Sequence, residues 1–335
     1  CKLKLMNHCI YYFSFFFIRS TAAETCSAQG VCIKAITHPL TISEGPHWDI
    51  ANQRLYFVDI IDQTLWFRSI LNDCECTRSS SENGMLGVAI PVAGKENTFV
   101  GGAGVDFVEI AWDPTTNSSD PKIKVLATVD SDRNGTRFND GKIDPKGRFW
   151  GGTNDVKFIQ PLHQPSSLYR IGTDMVPKSI LRNATISNGL TWSHDNKTFY
   201  YIDSPTKQVH AYDYDEDSGE ISNMRVLFDF VKNNVPGVPD GMTIDYVGNL
   251  WVACYNGHRV LCVDSLTGKL VRTIMMPVRD VTSVAFGGPN LDTLYVTTAR
   301  KDLSAKDLES QPQAGSVFAV TGLGINGSPM LAYRM

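Results

Sequence analysis

From residue 31 onward, short apolar runs alternate with turns, and the runs come in pairs. The first run of each pair starts on a small or acidic residue, often followed by Gly. A turn rich in Asp, Asn, Gly or Pro follows, and then a second run heavy in aromatic and β-branched residues. Four copies are clear. Glu44-Gly45-Pro46-His47-Trp48-Asp49 leads to Leu55-Tyr56-Phe57-Val58-Asp59, and Asn139-Asp140-Gly141-Lys142-Ile143-Asp144 leads to Arg148-Phe149-Trp150-Gly151-Gly152. Asn188-Gly189-Leu190-Thr191-Trp192 leads to Thr198-Phe199-Tyr200-Tyr201-Ile202-Asp203, and Asp240-Gly241-Met242-Thr243-Ile244-Asp245 leads to Asn249-Leu250-Trp251-Val252-Ala253. Weaker copies start at Leu86 and Thr282. Runs of this length and composition predict strands, and almost no segment carries the 3.6-residue period of an amphipathic helix.

Taking Glu44, Leu86, Asp140, Asn188, Asp240 and Thr282 as equivalent, the copies are spaced 42, 54, 48, 52 and 42 residues apart. That spacing leaves room for two further strands per copy, with Gln208 to Tyr214 and Arg259 to Asp264 as candidates. A period of 40 to 50 residues with four strands per copy is propeller spacing. The predicted fold is all-β, a six-bladed β-propeller with a central divalent-metal site. A β-sandwich or two small β domains is the competing arrangement. Six blades is the better reading, because one blade alone leaves both faces of its sheet wet.

Composition narrows the function classes. The chain has 335 residues, 42% of them hydrophobic, enough for a sizeable core, and a net charge of −4 with Lys and Arg scattered. Nothing in that balance suggests a nucleic-acid partner. No membrane association and no obligate protein partner is expected. The eight cysteines, Cys1, Cys9, Cys26, Cys32, Cys74, Cys76, Cys254 and Cys262, do not look like a disulfide framework. Residues 1–30 read as a leader or signal peptide outside the fold, and 31–335 as one propeller. Lys2 and Lys4 precede an apolar run, Cys9 to Ile18, too short to span a bilayer as a helix. Asn-x-Ser/Thr sequons stand at Asn117, Asn134, Asn183, Asn196 and Asn326. The expected location is the cytoplasm, with secretion as the alternative if residues 1–25 act as a signal peptide.

In a propeller the innermost strands line the axis, so equivalent positions from distant copies meet at one end of it. Four of the six equivalent positions carry an oxygen donor: Glu44, Asn139/Asp140, Asn188 and Asp240. Taken singly, Asp-Gly and Asn-Gly are turn dipeptides. Recurrence at one axial phase turns them into a ligand set. Carboxylate and amide oxygens suit a hard divalent cation, Ca²⁺, Mg²⁺ or Mn²⁺, and without His or Cys the set does not favour Zn²⁺.

The phrases SEGPHWD, RFNDGKIDPKGRFWGGT, ISNGLTWS, FYYIDS, VPDGMTIDYVGNLWVACYNGHRV, TSVAFGGPNLDTLYVTTAR and TGLG resemble the regucalcin (senescence marker protein)/gluconolactonase family. The likeness runs collinearly from about Thr41 to Gly324 and is similar to the animal regucalcin and insect luciferin-regenerating branches. The resemblance implies a six-bladed propeller with one divalent metal and lactonase activity. The ion is Ca²⁺ by first choice, with Zn²⁺, Mg²⁺ or Mn²⁺ as alternatives. It places metal ligands on Glu44, Asn188 and Asp240 and substrate contacts on Arg137 and Asn139. Lys157 stands where the family has a sugar-contacting acidic residue, and Asp155 is the substitute nearby.

The function these residues imply is metal-dependent hydrolysis of a small lactone or ester. Asp240 is the expected general base and Arg137 the group that orients substrate oxygens. Asn139 would hold a water or a substrate hydroxyl, and His47 reads as a packed strand residue. No Gly-x-Ser-x-Gly elbow or Walker loop is present. The alternatives are a calcium-binding regulatory protein with little catalysis and a luciferin-regenerating or aryl-esterase type of hydrolase on the same scaffold.

Overall fold

The structure is a computed structural model. It describes residues 24–335 apart from 29, 70–73, 80–83, 115, 117–120, 134 and 156–165, and of 74–79 the backbone alone.

The paired runs form antiparallel hairpins because their turns are held by buried aspartates. The Asp144 carboxylate accepts from the backbone N–H of Lys146 and Arg148, and from the Trp150 indole at 2.9 Å. Asp245 repeats this arrangement with Val247, Asn249 and the Trp251 indole at 2.9 Å. An aspartate at the far end of a hairpin anchors the strand that enters the axis. Asp59 accepts from Thr41 and Ile42, and Asp203 from Thr185 and Ile186. These acceptors satisfy backbone donors that the strand ladders leave over.

Six sheets result. The first blade comprises Ser43–Asp49, Arg54–Asp59, Thr64–Ser69 and Cys74–Ser79. The second comprises Leu86–Pro91, Thr98–Ala103, Asp106–Ala111 and Lys122–Thr128. The third comprises Thr136–Ile143, Phe149–Asp155, Ser166–Ile171 and Pro177–Ala184. The fourth comprises Ser187–Trp192, Thr198–Asp203, Gln208–Asp215 and Glu220–Asp229. The fifth comprises Val238–Ile244, Asn249–Tyr255, Arg259–Asp264 and Leu270–Met275. In each, strand order follows chain order from the axis outward. A short α-helix, Ala305–Ser310, is closed by a Ser304–Asp307 capping box.

The sixth blade is built from both ends of the chain. Asp280–Gly287, Thr293–Ala299 and Phe318–Thr321 supply its inner strands, and Cys32–Ala35 then pairs antiparallel with Phe318–Thr321. Thr25–Cys26 adds a fifth strand on Cys32–Ala35, and a disulfide joins Cys26 to Cys32. The fold therefore takes in part of the stretch set aside as a leader. The cysteines also yield one staple where no disulfide framework was expected. Cys254 and Cys262 are buried free thiols.

Apolar side chains from facing blades interlock in six seams, one per neighbouring pair. Trp150 and Leu168 meet Leu190, Trp192 and Phe199 between blades three and four. Between blades six and one, Tyr295 and Val317 meet Trp48 and Phe57, with the Trp48 and Tyr295 rings stacked at 5.5 Å. Six seams joined in a ring leave no blade face wet.

The C-terminal residues cross the end of the axis reached by the inner strands last. Gly327 bridges Asp245, the Trp48 N–H meets Met330 Sδ at 3.2 Å, and Tyr333 bridges Val92. Met330 helps enclose an axial void of about 10 Å³ with His47, Lys142, Met242 and Ser283. This end of the channel is plugged. Tyr333 is fully buried against Phe107, and its hydroxyl donates to the Gly172 carbonyl at 2.8 Å. Tyr333→Ala should cost about 3–5 kcal/mol, the usual loss for a buried aromatic. Urea unfolding measures it, and an unchanged midpoint would show that the tail does not strap the ring.

Candidate metal and substrate site

Every inner strand carries a β-bulge near its start. The register slips between Glu44 and His47, Leu86 and Val88, Phe138 and Gly141, Ser187 and Leu190, Pro239 and Met242, and Val281 and Ser283. In the first five blades the slip falls on the x-Gly phrase seen in the sequence, and in the sixth on Thr282. A bulge turns a side chain out of the ladder, here at the same height on the axis in all six blades. Glycine is required for closeness at some of them: a Cβ on Gly189 would lie 2.5 Å from the Asp240 carbonyl oxygen of the next blade.

Four of the six positions present an oxygen donor, as the repeat predicts. Glu44, Asp140, Asn188 and Asp240 are all buried. The other two do not. Leu86 is buried in the core, and the Thr282 hydroxyl is used by the Ser43 carbonyl at 2.7 Å and by Thr297 Oγ1 at 2.8 Å, holding blades six and one together.

Glu44, Asn188 and Asp240, from blades one, four and five, come within electrostatic reach of each other. Burial first, then the charges of Asp240 and Asp140, push the Glu44 carboxyl well above its usual range. Burial first, then Asp140, does the same to Asp240, while a hydrogen bond from the Asn188 side chain pulls it back. Asp140 is raised by burial and eased by Lys142 and by the Gly141 N–H at 2.7 Å. The Asn188 amide is fixed on both sides: its Nδ2 donates to Ser204 Oγ at 2.9 Å, and its Oδ1 accepts from Asn139 Nδ2 at 3.1 Å.

Uncompensated carboxylates in a low-dielectric site are costly. Two carboxyls raised by burial and by neighbouring negative charge, with an amide oxygen beside them, make a donor set that a hard divalent cation fits. The residues present therefore fit the expected ion. The only described cluster of three His, Cys, Asp or Glu ligand atoms within 4.8 Å of one another is Glu24, Cys26 and Cys32, whose sulfurs are tied up in the disulfide. The axial set instead mixes carboxylates with an amide.

Arg137 is half-buried beside the site. Burial brings its guanidinium down to about 10, opposed by Glu44, and it stays cationic at neutral pH. Its Nη1 donates to the Phe138 carbonyl at 2.7 Å. Asn139 lies at the site too, but its amide nitrogen is committed to Asn188 and to the Ser187 carbonyl at 3.1 Å. Asp155 is buried at the end of blade three's second strand, opposite Thr136 and one residue from the pair Arg137–Asn154. Lys157 lies outside the described residues. His47 packs as a strand residue opposite Tyr56, and burial lowers its imidazole to about 4.

Two charged residues near the axis were missed by sequence reasoning. Lys142 lies on the inner strand just past Asp140, donates to the Met242 carbonyl at 2.7 Å, and is lowered to about 8 by burial against the pull of Asp140. Asp280, at the start of blade six, is buried, paired with Arg279 at 3.1 Å, and adds negative charge near Asp240. The signal for Asp280 was its place at the first residue of an inner strand.

Comparison with known proteins identifies the family and the fold. Residues 42–300 match the profile of the SMP-30/Gluconolactonase/LRE-like region. The chain belongs to that family. It is 40% identical to the regucalcin of Macaca fascicularis over 293 residues, covering 87% of this chain and 94% of that one. A solved luciferin-regenerating enzyme superposes with a TM-score of 0.86 at 38% identity, covering 91% of this chain and 100% of that one. A calcium-binding protein, regucalcin, from Agrobacterium tumefaciens shares the fold, with a TM-score of 0.80 at 22% identity and coverage of 90% and 97%. The six-bladed propeller is thus the architecture of the family, and among the described residues no helix is long and apolar enough to cross a membrane.

The raised carboxyls give a test on chelator-treated protein. Glu44 and Asp240 hold protons more tightly folded than unfolded. Their contribution is intact below the ordinary carboxylate range and is lost as pH rises through the raised values. His47 acts oppositely, losing stability as pH falls from 6.5 to about 4. The readout is therefore a difference: without metal at neutral pH, Asp240→Asn should melt above the parent, and Ca²⁺ should raise the parent's midpoint but not the variant's. Equal midpoints would mean Asp240 carries no uncompensated charge.

Proposed function

We propose that this chain is a metal-dependent lactonase, opening a small lactone to its hydroxy acid. The observation that carries this reading is the convergence of buried Glu44, Asn188 and Asp240 at one end of the axis, with cationic Arg137 beside them. These three would hold the ion, Ca²⁺ by first choice. When bound, a divalent cation supplies polarisation of a carbonyl and acidification of water.

The protein's own groups do the rest. Asp240 accepts the proton of the attacking water and returns it to the ring oxygen as the C–O bond breaks, so no proton is left over. Arg137 orients the substrate through its planar fork of donors. Asn139, spent on Asn188, fixes the direction of the amide oxygen. Asp155 is the nearest described carboxylate to the third-blade loop and is assigned to substrate hydroxyls.

Similarity to the luciferin-regenerating enzyme supports a second reading, a hydrolase of that type on an aromatic substrate. A panel of gluconolactone, an aromatic lactone and an aryl ester, with and without EDTA, separates the two by which compound turns over. Metal binding with no turnover on any of them would leave a calcium-binding protein and overturn both.

Asp240→Ala should abolish metal binding and lower kcat by about 10²–10⁴-fold, the range for a lost general base. Arg137→Ala should weaken kcat/KM while isothermal titration still shows the metal bound. Parent rates in Asp240→Ala would defeat the assignment.

A further inference from the structure

Of the cysteines whose side chains are described, two are sealed and two are not. Cys254 and Cys262 are buried, and burial raises both thiols, Cys262 to about 12. Such thiols are inert. Cys26 and Cys32 sit directly opposite each other on the outermost pair of strands of blade six, Cys26 exposed and Cys32 half-exposed, and are joined. An accessible disulfide persists in oxidising compartments and is reduced in the cytosol.

Asn117 and Asn134 lie outside the described residues, and the three described sequons sort by structure in the same direction. Asn196 is half-buried, and Asn326 has its amide nitrogen donated to the Asn290 carbonyl at 2.8 Å. Asn183 differs from both. It is exposed, with φ +67°, and is the extra residue of a bulge: Ser166 pairs with Ala184 and Ser167 with Arg182, leaving Asn183 out of the ladder. Its strand, Pro177–Ala184, is the outermost of blade three. At the usual strand spacing that is about 14 Å outward from the inner strand. A bulky group there leaves the axial site uncovered. Residues 184 and 185 are Ala and Thr, completing the acceptor triplet.

The sequence ahead of the fold is consistent with both features. Lys2 and Lys4, the apolar run Cys9 to Ile18, and Thr21 and Ala23 ahead of Glu24 follow the order of a secretion leader and its small-residue cut site.

We infer that this chain matures in the secretory pathway, with Cys26–Cys32 held as a disulfide and an N-linked glycan on Asn183. This reading takes the secretion alternative over the cytoplasm and does not depend on the proposed activity.

The test expresses the full chain, behind a start methionine, in cultured insect cells. The expected result is protein in the medium beginning near Glu24, with Cys26 and Cys32 linked in a non-reducing peptide map. Peptide N-glycosidase should shift its mobility and convert Asn183 to Asp in the peptide mass spectrum. Asn183→Gln should remove one glycan step. Thr185→Val, which keeps the asparagine, should remove the same step if the first variant folds poorly. Retention in the cytosol with residues 1–23 intact, alkylation of both Cys26 and Cys32 without reductant, or an unmodified Asn183 peptide in secreted protein would each overturn the inference.

Discussion

A ring of six sheets exists only if its last blade is shut, and here the shutting interaction is the pairing of Cys32–Ala35 with Phe318–Thr321. That ladder places an N-terminal strand in the same sheet as the last strands of the propeller, so the first and last blades are held in register with each other. Ser43 adds to the closure, its hydroxyl donating to the Thr298 carbonyl at 2.7 Å. Everything at the axis depends on this. Glu44 follows Ser43 directly, so the strand entry that seals the ring also sets one of the three proposed ligands opposite the other two.

Closure explains the electrostatics as well. Bringing six strand starts together buries four bulges with acidic or amide side chains at one end of the axis. The fold tolerates this because Lys142, Arg137 and the Gly45 and Gly141 N–H groups face the carboxylates. These offset the repulsion only in part, since Glu44 and Asp240 remain well above their usual range. That unsettled negative charge, held in a rigid ring, is what the proposed cation would neutralise.

How much of this could be read from the chain differs by layer. The inner two strands of each blade were plain, because they are buried on both faces and carry aromatic and β-branched runs. The fourth strands, such as Glu220–Asp229, were hard to see because most of their residues face solvent and no apolar alternation marks them. The N-terminal strand Cys32–Ala35 was missed as part of blade six, being four residues long and outside the repeat phrase. Glu44, Asn188 and Asp240 were visible because they recur at one phase. Lys142 was hidden because a lysine in a strand reads as a solvated position, and its burial comes only from blades packing across the axis. The Cys26–Cys32 staple escaped because six residues of spacing carry no register until the hairpin is formed.

Met330 has an effect beyond packing. By stopping one end of the channel, it leaves the carboxylate end as a doorway. Whatever reaches Glu44 and Asp240 through that end comes and goes by the same threshold, reactant and product in turn. The rim of that doorway thereby governs admission and departure together, and a change there would alter both at once.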